Sequence, residues 1–143
     1  YNLASAVNQQ LRSGEKPKSA NLISSAIDKN YSTTTEPLYR GIKGDFAKTV
    51  SNMKKNEILT DKGFMSTSFD IGDKESGARK FGDTILKIKP KTGFGVGISM
   101  GSYVQDTRYL SENEFLLQKD TKLRFTGNVE DAGDTKIMEF EIL

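Results

Sequence analysis

The sequence predicts one α+β domain, in which helices come first and strands follow. Apolar residues recur every three or four positions through roughly the first thirty residues, as they do along one face of an amphipathic helix. From Thr84 onward apolar and polar residues alternate with a period of two, which is typical of half-buried strands. Helices followed by strands favour an α+β fold over a doubly wound sheet. At 143 residues the chain is long enough to bury one core.

Two helices are predicted at the start of the chain. Leu3, Val7 and Leu11 recur at helical spacing, and Arg12-Ser13-Gly14 ends the first helix. Lys16-Pro17 interrupts the chain, and Ser19 is the candidate N-cap of the second helix. The apolar side of this helix is predicted to comprise Leu22, Ile23, Ala26 and Ile27. Asn30 is its predicted last residue.

The middle of the chain mixes short strands, one helix and loops. Leu38–Ile42 and Phe64–Phe69 are predicted strands, and Asp61-Lys62-Gly63 is a predicted turn. Asp45 is the candidate cap of a helix between the strands. Residues 70–83 are rich in Gly, Asp, Lys and Ser and are predicted to be mobile, with at most one helical turn around Glu75–Lys80. The inward residues of the helix are expected to be Phe46, Val50 and Met53.

The second half is predicted to consist of strands. Thr84–Lys89 is a strand that Pro90–Gly93 turns, and the alternation continues from Phe94 to Met100. A polar loop covers residues 101–111. The last predicted strands are Thr121–Thr126 and Thr135–Leu143, joined by a turn at Asp131–Asp134.

The composition excludes several classes of chemistry. The chain has no cysteine and no histidine, which excludes disulfides, thiolate nucleophiles, Ser-His-Asp triads and the usual zinc sites. The net charge of +2 is small and the basic residues are scattered, so nothing favours nucleic acid as a partner. No apolar run approaches the ~20 residues of a membrane span. Because the chain begins at Tyr1, we expect a mature or excised domain of a longer protein.

Three polar motifs interrupt apolar, strand-like segments. Arg40 lies mid-strand, where arginine is usually solvated, but its planar fork can also bind phosphate or carboxylate. Gly41 beside it would let a ligand approach the backbone. Ser66-Thr67-Ser68 is the second motif, and the pair Glu112 and Glu114 is the third. Each motif occurs often by chance, whereas their order along the chain is much rarer.

The two glutamates are the most informative motif. In a strand Glu112, Glu114 and Leu116 share one face, while Phe115 and Leu117 point into a core. The two carboxylates would then lie roughly 7 Å apart. Folding gains nothing from adjacent like charges, which tend to raise one pKa. A solvated strand edge is the ordinary interpretation, and a site that needs two carboxylates in different roles is the functional one.

In this order the motifs resemble those of the mono-ADP-ribosyltransferases of the arginine-serine-glutamate class. That class includes binary-toxin enzyme components, C3-like exoenzymes and related bacterial and phage effectors. The resemblance spans nearly the whole chain and implies N-terminal helices followed by two packed, mainly antiparallel sheets around an NAD cleft. The segment between Ser68 and Phe81 is longer than in the binary-toxin enzymes. The stretches that carry the resemblance are Val7–Arg12, Leu38–Gly41, Gly63–Ser68, Phe81–Gly82, Tyr109 and Glu112–Leu117.

The resemblance implies that NAD is the substrate, cleaved between nicotinamide and ribose, and that no metal is needed. Glu114 would stabilise the positive charge that develops on the ribose, as carboxylates do in glycosidases. Arg40 would hold the phosphates as a fork, and Ser66 would orient Glu114 and touch the ribose. The resemblance further assigns the Gly41 backbone to the nicotinamide amide, Thr67 and Ser68 to the strand around the ribose, and Phe81 to stacking on nicotinamide.

Glu112 sets the expected acceptor. In the family, glutamate at this position goes with arginine acceptors and glutamine with asparagine. A carboxylate can pair with an incoming guanidinium and take up its proton, so we expect an arginine side chain of a target protein. Tyr109 would offer an aromatic surface to that target. A bacterial enzyme acting in a target-cell cytosol after secretion or injection, or a phage protein acting in the bacterial cytoplasm, fits this expectation.

Two alternatives stay open at this stage. An NAD glycohydrolase would pass the ribose to water, and product partition with and without an arginine-rich protein distinguishes it. A non-catalytic interaction domain would carry a degenerate site. Thermal stabilisation by NAD distinguishes an enzyme from such an interaction domain, because a ligand bound only by the native state must raise the melting temperature.

Overall fold

The structure is a computed structural model, and it describes residues 9–16, 18–30, 36–72, 77–90, 97–99 and 114–143. For residues 19, 26, 28–30, 97–99 and 114 it describes the backbone alone. The helices are α1 (Lys18–Asn30), α2 (Gly44–Ser51) and a 3-10 helix (Ala78–Phe81). The strands are β1 (Leu38–Ile42), β2 (Ile58–Asp61), β3 (Met65–Ser68), β4 (Thr84–Lys89), β5 (Gly97–Ser99), β6 (Glu114–Leu117), β7 (Thr121–Ala132) and β8 (Thr135–Ile142).

The strands of the described part form one hydrogen-bonded, eight-stranded sheet, in the order β2-β7-β8-β4-β1-β3-β6-β5. Neighbouring strands are antiparallel, except that β4 and β8 run parallel. The predicted α+β class with mainly antiparallel strands is therefore confirmed. A division into two separate sheets is not evident in the hydrogen bonding.

The pairing between neighbouring strands is shortest between β1 and β3, and we call this pairing the β1–β3 seam. A single register pair, Tyr39 with Ser68, joins these two strands, whereas five register pairs join β1 to β4. Strands β3, β6 and β5 lie on one side of the seam and the other five on the other side. If this one pair were absent, the strands would form two separate sheets that meet at the seam.

Three apolar clusters pack against the sheet, and two of them involve β6. The larger includes Phe115 and Leu117, which were predicted to point into a core. Leu116 alternates with them and packs into the smaller cluster, which joins α1 to β3 and β6. Burying an aliphatic or aromatic side chain contributes about 1.5–3 kcal/mol relative to leaving it exposed. The buried members of the smaller cluster are Ala20, Ile27, Phe64 and Leu116.

The helix caps differ from the predicted ones. Helix α1 begins at Lys18, so Ser19 lies inside its first turn and the prediction of Ser19 as N-cap was wrong. The predicted end at Asn30 is confirmed. The N-cap of α2 is Lys43, and Asp45 lies in the first turn. There an acidic side chain still favours the helix through its dipole, although it does not cap it.

Two apolar helix residues predicted to face inward are exposed. Leu22 is 75% exposed and Phe46 is 41% exposed. Each lies one position before a residue that packs inward, Ile23 in α1 and Ala47 in α2. One position turns a helical side chain by about 100°, which is enough to move it off the buried stripe. Val50 was predicted correctly and is fully buried.

The strand bounds were predicted unevenly. Thr84–Lys89 has the predicted bounds, whereas β7 extends to Ala132 and closes a hairpin across Gly133 and Asp134. Strand β2 was missed, because four residues at a sheet edge show too little alternation to distinguish them from a loop. Gly14 follows the first helical residues with a φ of +94°, as expected for a helix end.

Some sequence predictions lie outside the described residues. These are the first helical positions Leu3 and Val7, most of the alternation from Phe94 to Met100, and the polar loop at 101–111. None of the described helices has the length and apolarity that a membrane crossing needs.

Glu139 organises an ion-pair network on the outer face of β7 and β8. Its carboxylate pairs with Lys89 Nζ at 2.8 Å. It also accepts hydrogen bonds from Thr126 Oγ1 at 2.8 Å and Asn128 Nδ2 at 2.6 Å. The hydrogen bond from Lys89 is the main cause that lowers the pKa of Glu139 to about 2. This network stabilises the ionised carboxylate in the folded state.

We expect Glu139→Gln to lower the free energy of unfolding at neutral pH by about 1 kcal/mol, the upper range for a pair in contact with solvent. The folded pKa lies below the ordinary 4.5, so the stabilisation is present above that value and is lost as the pH falls from there towards 2. Urea unfolding at neutral and at strongly acidic pH should therefore show the difference from wild type shrinking. Glu130→Gln, in the exposed hairpin, is the control. A difference that stays constant with pH in Glu139→Gln would contradict this account.

Candidate active site

The β1–β3 seam opens into a gap on one side. Past Tyr39, β1 keeps its pairing with β4 as far as Ile42, but within the described residues it forms no further pair with β3. Continuing the antiparallel register from Tyr39 and Ser68 would set Gly41 opposite Ser66. The backbone edges at these two positions are thus not paired with each other. We call this gap the β1–β3 crevice, and it is the candidate active site.

Three adjacent strands carry the three predicted motifs. Arg40 lies on β1, the serine motif on β3, and Glu114 begins β6. Strands β3 and β6 pair with Ser68 opposite Glu114 and Ser66 opposite Leu116. Residues directly opposite in an antiparallel pair lie on the same face. The register therefore places Glu114 on the face of the sheet that carries Ser66 and Ser68.

Arg40 reaches across the crevice. It leaves β1 on the same side as Leu38 and Ile42, which are buried, and its own side chain is only 20% exposed. Because Tyr39 is opposite Ser68, this side is the face of the sheet that does not carry Ser66, Ser68 and Glu114. Nη1 donates a hydrogen bond to the Ser66 carbonyl oxygen at 3.3 Å. Nε is buried and has no hydrogen-bond partner among the described residues. Because an unpaired buried donor costs free energy, Arg40 is poised to gain from an anionic acceptor.

The surroundings of Arg40 shift its pKa but do not remove its charge. Burial lowers the pKa of the Arg40 guanidinium from its usual value, Asp61 acts in the opposite direction, and Arg12 lowers it further. A guanidinium remains protonated in proteins. The crevice therefore holds a fixed positive charge in a partly desolvated setting, where electrostatic attraction to phosphate is stronger than in bulk water.

Asp61 and Arg12 flank Arg40, and the sequence did not mark either as part of the site. Arg12 binds Asp61 with two hydrogen bonds, Nε to Oδ1 and Nη2 to Oδ2, both 2.9 Å long. Arg40 Nη2 lies 4.0 Å from Asp61 Oδ2. Asp61 was predicted to belong to a turn and Arg12 to end a helix. A carboxylate next to a glycine turn is common, so no local signal could have revealed a pairing between residues 49 positions apart.

Gly41 is packed against the 3-10 helix. A Cβ on Gly41 would lie 1.9 Å from the Ala78 carbonyl oxygen, and a Cβ on Gly82 would lie 1.9 Å from the Ile42 carbonyl oxygen. Two backbones therefore meet here without side chains between them. This gives a structural reason for Gly41 besides the expected approach of a ligand. The 3-10 helix, Ala78–Phe81, overlaps only the second half of the helical turn predicted around Glu75–Lys80.

Phe81 ends the 3-10 helix and is exposed. The residue is 57% exposed, and Lys80 Nζ lies 6.0 Å from the ring centroid. The backbone contact between Gly82 and Ile42 fixes the end of the helix beside β1. An exposed aromatic ring is thereby held close to the strand that carries Arg40, and it is accessible for stacking.

The other hydroxyls of the serine motif stabilise the neighbouring backbone. Thr67 is buried, and its Oγ1 donates to the Phe115 carbonyl oxygen at 2.6 Å, which ties β3 to β6. Ser68 Oγ accepts from the Asp70 N–H at 3.1 Å. Ser66 is exposed. The motif thus combines one exposed hydroxyl beside the crevice with two that hold the strands around it.

Part of the predicted site lies outside the described residues. Tyr109 and Glu112 are not among them, and Glu114 is described by its backbone only. Within the described part of the chain, no group of three or more acidic residues could hold a metal ion.

The chain matches the family model described as ADP-ribosyltransferase exoenzyme over residues 2–140. It is similar in structure to Plx2a, an ADP-ribosyltransferase toxin from Paenibacillus larvae, with 23% identity over 98% of this chain and 80% of that one and a TM-score of 0.74. The C3 exoenzyme of Clostridium limosum has 17% identity over 98% and 79% of the two chains and a TM-score of 0.74. Exoenzyme S of Pseudomonas aeruginosa, solved with human 14-3-3 protein beta and carba-NAD, has 23% identity over 96% and 66% and a TM-score of 0.69. No curated protein sequence matches this one significantly.

Proposed function

Because the chain belongs to the ADP-ribosyltransferase exoenzyme family, we propose that it transfers ADP-ribose from NAD to an arginine side chain of a target protein and releases nicotinamide. Enzymes of this family take ADP-ribose from NAD. The observation that supports the proposal for this chain is that Arg40, the serine motif and the start of β6 lie on three adjacent strands, and that Arg40 Nη1 reaches the Ser66 carbonyl oxygen where β1 and β3 are not paired.

Arg40 is the proposed phosphate-binding residue. The support is its buried Nε without a partner and its position across the crevice. A diphosphate supplies several acceptor oxygens, and a guanidinium fork can bind two of them at once. Phe81, exposed at the edge of β1, is proposed to stack on the nicotinamide ring. The Gly41 backbone, at the unpaired edge of β1, is proposed to bind the nicotinamide amide.

Glu114 is the proposed residue beneath the ribose. When the bond between ribose and nicotinamide breaks, the electron pair leaves with nicotinamide and positive charge develops on the sugar. A carboxylate held in place stabilises this charge where it forms. Ser66, on the same face of the sheet by register, is proposed to orient Glu114 and to touch the ribose. Thr67 and Ser68 are proposed to hold the strand in register around it.

Glu112 is the proposed acceptor-selecting residue. A new bond forms between the anomeric carbon of the ribose and a guanidinium nitrogen of the target, and the carboxylate of Glu112 takes the proton that this nitrogen loses. Tyr109 is proposed to contact the target protein. The toxins and effectors among the similar structures support delivery by secretion or injection and action inside a target cell.

Mass spectrometry of a host-cell lysate incubated with the protein and NAD tests the acceptor. The proposal expects ADP-ribose on arginine residues of one or a few proteins. Modification of asparagine, or nicotinamide release with no modified protein, would refute the arginine assignment. Agmatine, a small guanidinium compound, provides a defined acceptor for quantitative comparison.

We expect Glu112→Gln to abolish transfer to agmatine while leaving NAD hydrolysis largely intact. The amide has nearly the same shape but cannot take up the guanidinium proton. The measurement is the ratio of ADP-ribosyl-agmatine to free ADP-ribose. Glu36→Gln is a control for the loss of one negative charge elsewhere. Equal loss of both activities in Glu112→Gln would show that Glu112 does not act on the acceptor alone.

A further inference from the structure

Residues 43–55, which we call the basic segment, comprise α2 with its N-cap and the turn after it, and they concentrate positive charge at the surface. Four positive charges and one negative charge give the segment a net charge of +3, whereas the whole chain carries +2. All four lysines are exposed, and within the described part of the chain none of their ammonium groups forms an ion pair or a hydrogen bond. The next acidic residue, Glu57, accepts the Lys54 N–H at 2.9 Å. The charged residues of the segment are Lys43, Asp45, Lys48, Lys54 and Lys55.

The basic segment is packed against the sheet. Ala47 and Val50 are buried in the larger apolar cluster, so α2 presents its charged side to solvent. The methylene stem of Lys55 lies over Gly127, where a Cβ would come 3.2 Å from Lys55 Cδ. The backbone that carries the lysines is therefore already ordered, and a partner that binds them does not have to order it first.

The basic segment also borders the β1–β3 crevice. Lys43 directly follows β1 with an extended backbone, φ −149° and ψ 173°, so its Cα lies roughly 10 Å from that of Arg40. Leu38 and Ile42 belong to the same apolar cluster as α2, which places α2 on the side of the sheet from which Arg40 projects. A protein interface covers roughly 800 Å² on each partner, equivalent to a circle of about 16 Å radius. A protein docked over the crevice would therefore cover at least the beginning of the basic segment.

We propose that the basic segment docks an acidic surface of the target protein and so helps to present the acceptor arginine to the crevice. This inference rests on the proposed function, because it requires a protein acceptor. Charges at the edge of an interface steer association and select partners through complementary potentials. Unpaired lysines can meet acidic groups without first breaking ion pairs of their own. Phe46, which is 41% exposed, would supply an apolar contact among these charges.

An anionic membrane would be attracted by the same charges, but α2 lacks the surface that membrane-bound helices use. A helix at a membrane interface buries a continuous apolar face among the lipids. In α2 that face is buried inside the domain, through Ala47 and Val50. The structure describes the whole basic segment, and Phe46 is its only large apolar side chain left exposed. An acidic protein surface therefore fits the basic segment better.

Two synthetic peptides and agmatine test the inference. Each peptide carries one arginine between two Gly/Ser spacers of about ten residues, whose mean reach is roughly 17 Å. Both spacers end in a block of glutamates in the acidic peptide and in a block of glutamines in the neutral one. Wild type should modify the acidic peptide with a kcat/KM about tenfold higher, at the low end of electrostatic steering. This preference should shrink as added salt screens the charges.

Charge reversal in the basic segment should abolish the preference. Lys43→Glu with Lys54→Glu changes the net charge of the segment from +3 to −1. Transfer to agmatine and NAD hydrolysis should stay near wild type, because neither reaction involves an acidic partner surface. Lys18→Glu with Lys122→Glu makes the same change at exposed lysines of α1 and β7 and should keep the preference. Melting temperatures check that both double variants fold, and the milder pair Lys43→Gln with Lys54→Gln should give an intermediate preference.

Several results would overturn the inference. These include equal modification of both peptides by wild type, and a preference that survives charge reversal. A raised KM for NAD in the reversed variant would show that the segment attracts the dinucleotide instead of the target. Binding of wild type alone to vesicles of phosphatidylserine and phosphatidylcholine, with no preference between the peptides, would assign the segment to a membrane. If wild type does not modify agmatine at all, the proposed arginine acceptor is refuted, and the inference falls with it.

Discussion

Glu114→Gln is expected to reduce both ADP-ribosyl transfer and NAD hydrolysis by about two to three orders of magnitude, the usual cost of removing one group that stabilises developing charge. Both reactions break the same bond between ribose and nicotinamide, and both pass through the same positive charge on the sugar. The amide fills the same space but carries no charge. Nicotinamide release, with and without agmatine, measures the two activities.

A matched control for Glu114→Gln is Glu130→Gln, which makes the same chemical change at an exposed position of the β7–β8 hairpin. It should leave both activities near wild type. NAD affinity should change much less than turnover in Glu114→Gln, since the charge that Glu114 stabilises is absent from bound NAD. A loss of turnover below tenfold would mean that another carboxylate lies beneath the ribose.

Gly41→Ala is expected to lower the melting temperature by about 10 °C, the shift that a few kcal/mol produces in a domain of this size. The added Cβ would lie 1.9 Å from the Ala78 carbonyl oxygen, and neither backbone can yield as a flexible side chain would. Either β1 or the 3-10 helix must move. Since β1 carries Arg40 and the 3-10 helix carries Phe81, NAD binding should weaken as well. Differential scanning calorimetry and NAD titration measure the two effects.

Gly133→Ala controls for the loss of a glycine itself. A Cβ there would meet nothing within 4 Å, although the φ of +66° is unfavourable for alanine and costs about 1–2 kcal/mol. Gly41→Ala should be clearly more destabilising, even though its φ needs no glycine. Similar melting temperatures for the two variants would show that the contact with Ala78 is not rigid.

The fold class and the motifs on the strands could be predicted from the sequence, because both depend on local patterns. The alternation in Thr84–Lys89 gave its bounds correctly, and the alternation around Phe115 gave the core-facing residues of β6. The pairing of Arg12 with Asp61 could not be predicted, since it joins a helix end to a turn 49 positions away. The packing of Gly41 on Ala78 was hidden for the same reason. Tertiary contacts of this kind leave no periodic signal in the chain.

The single register pair at the β1–β3 seam has a mechanical consequence. Backbone ladders resist shear, and among the described residues the ladder across the seam has one rung, so the two halves are joined there mainly by the side chains of the larger cluster and by the hydrogen bond from Arg40 to Ser66. A dinucleotide bound as proposed, by Arg40 on one half and by β6 on the other, would add a further link across the seam. Substrate binding would then tighten the protein as a whole, and product departure would loosen it again.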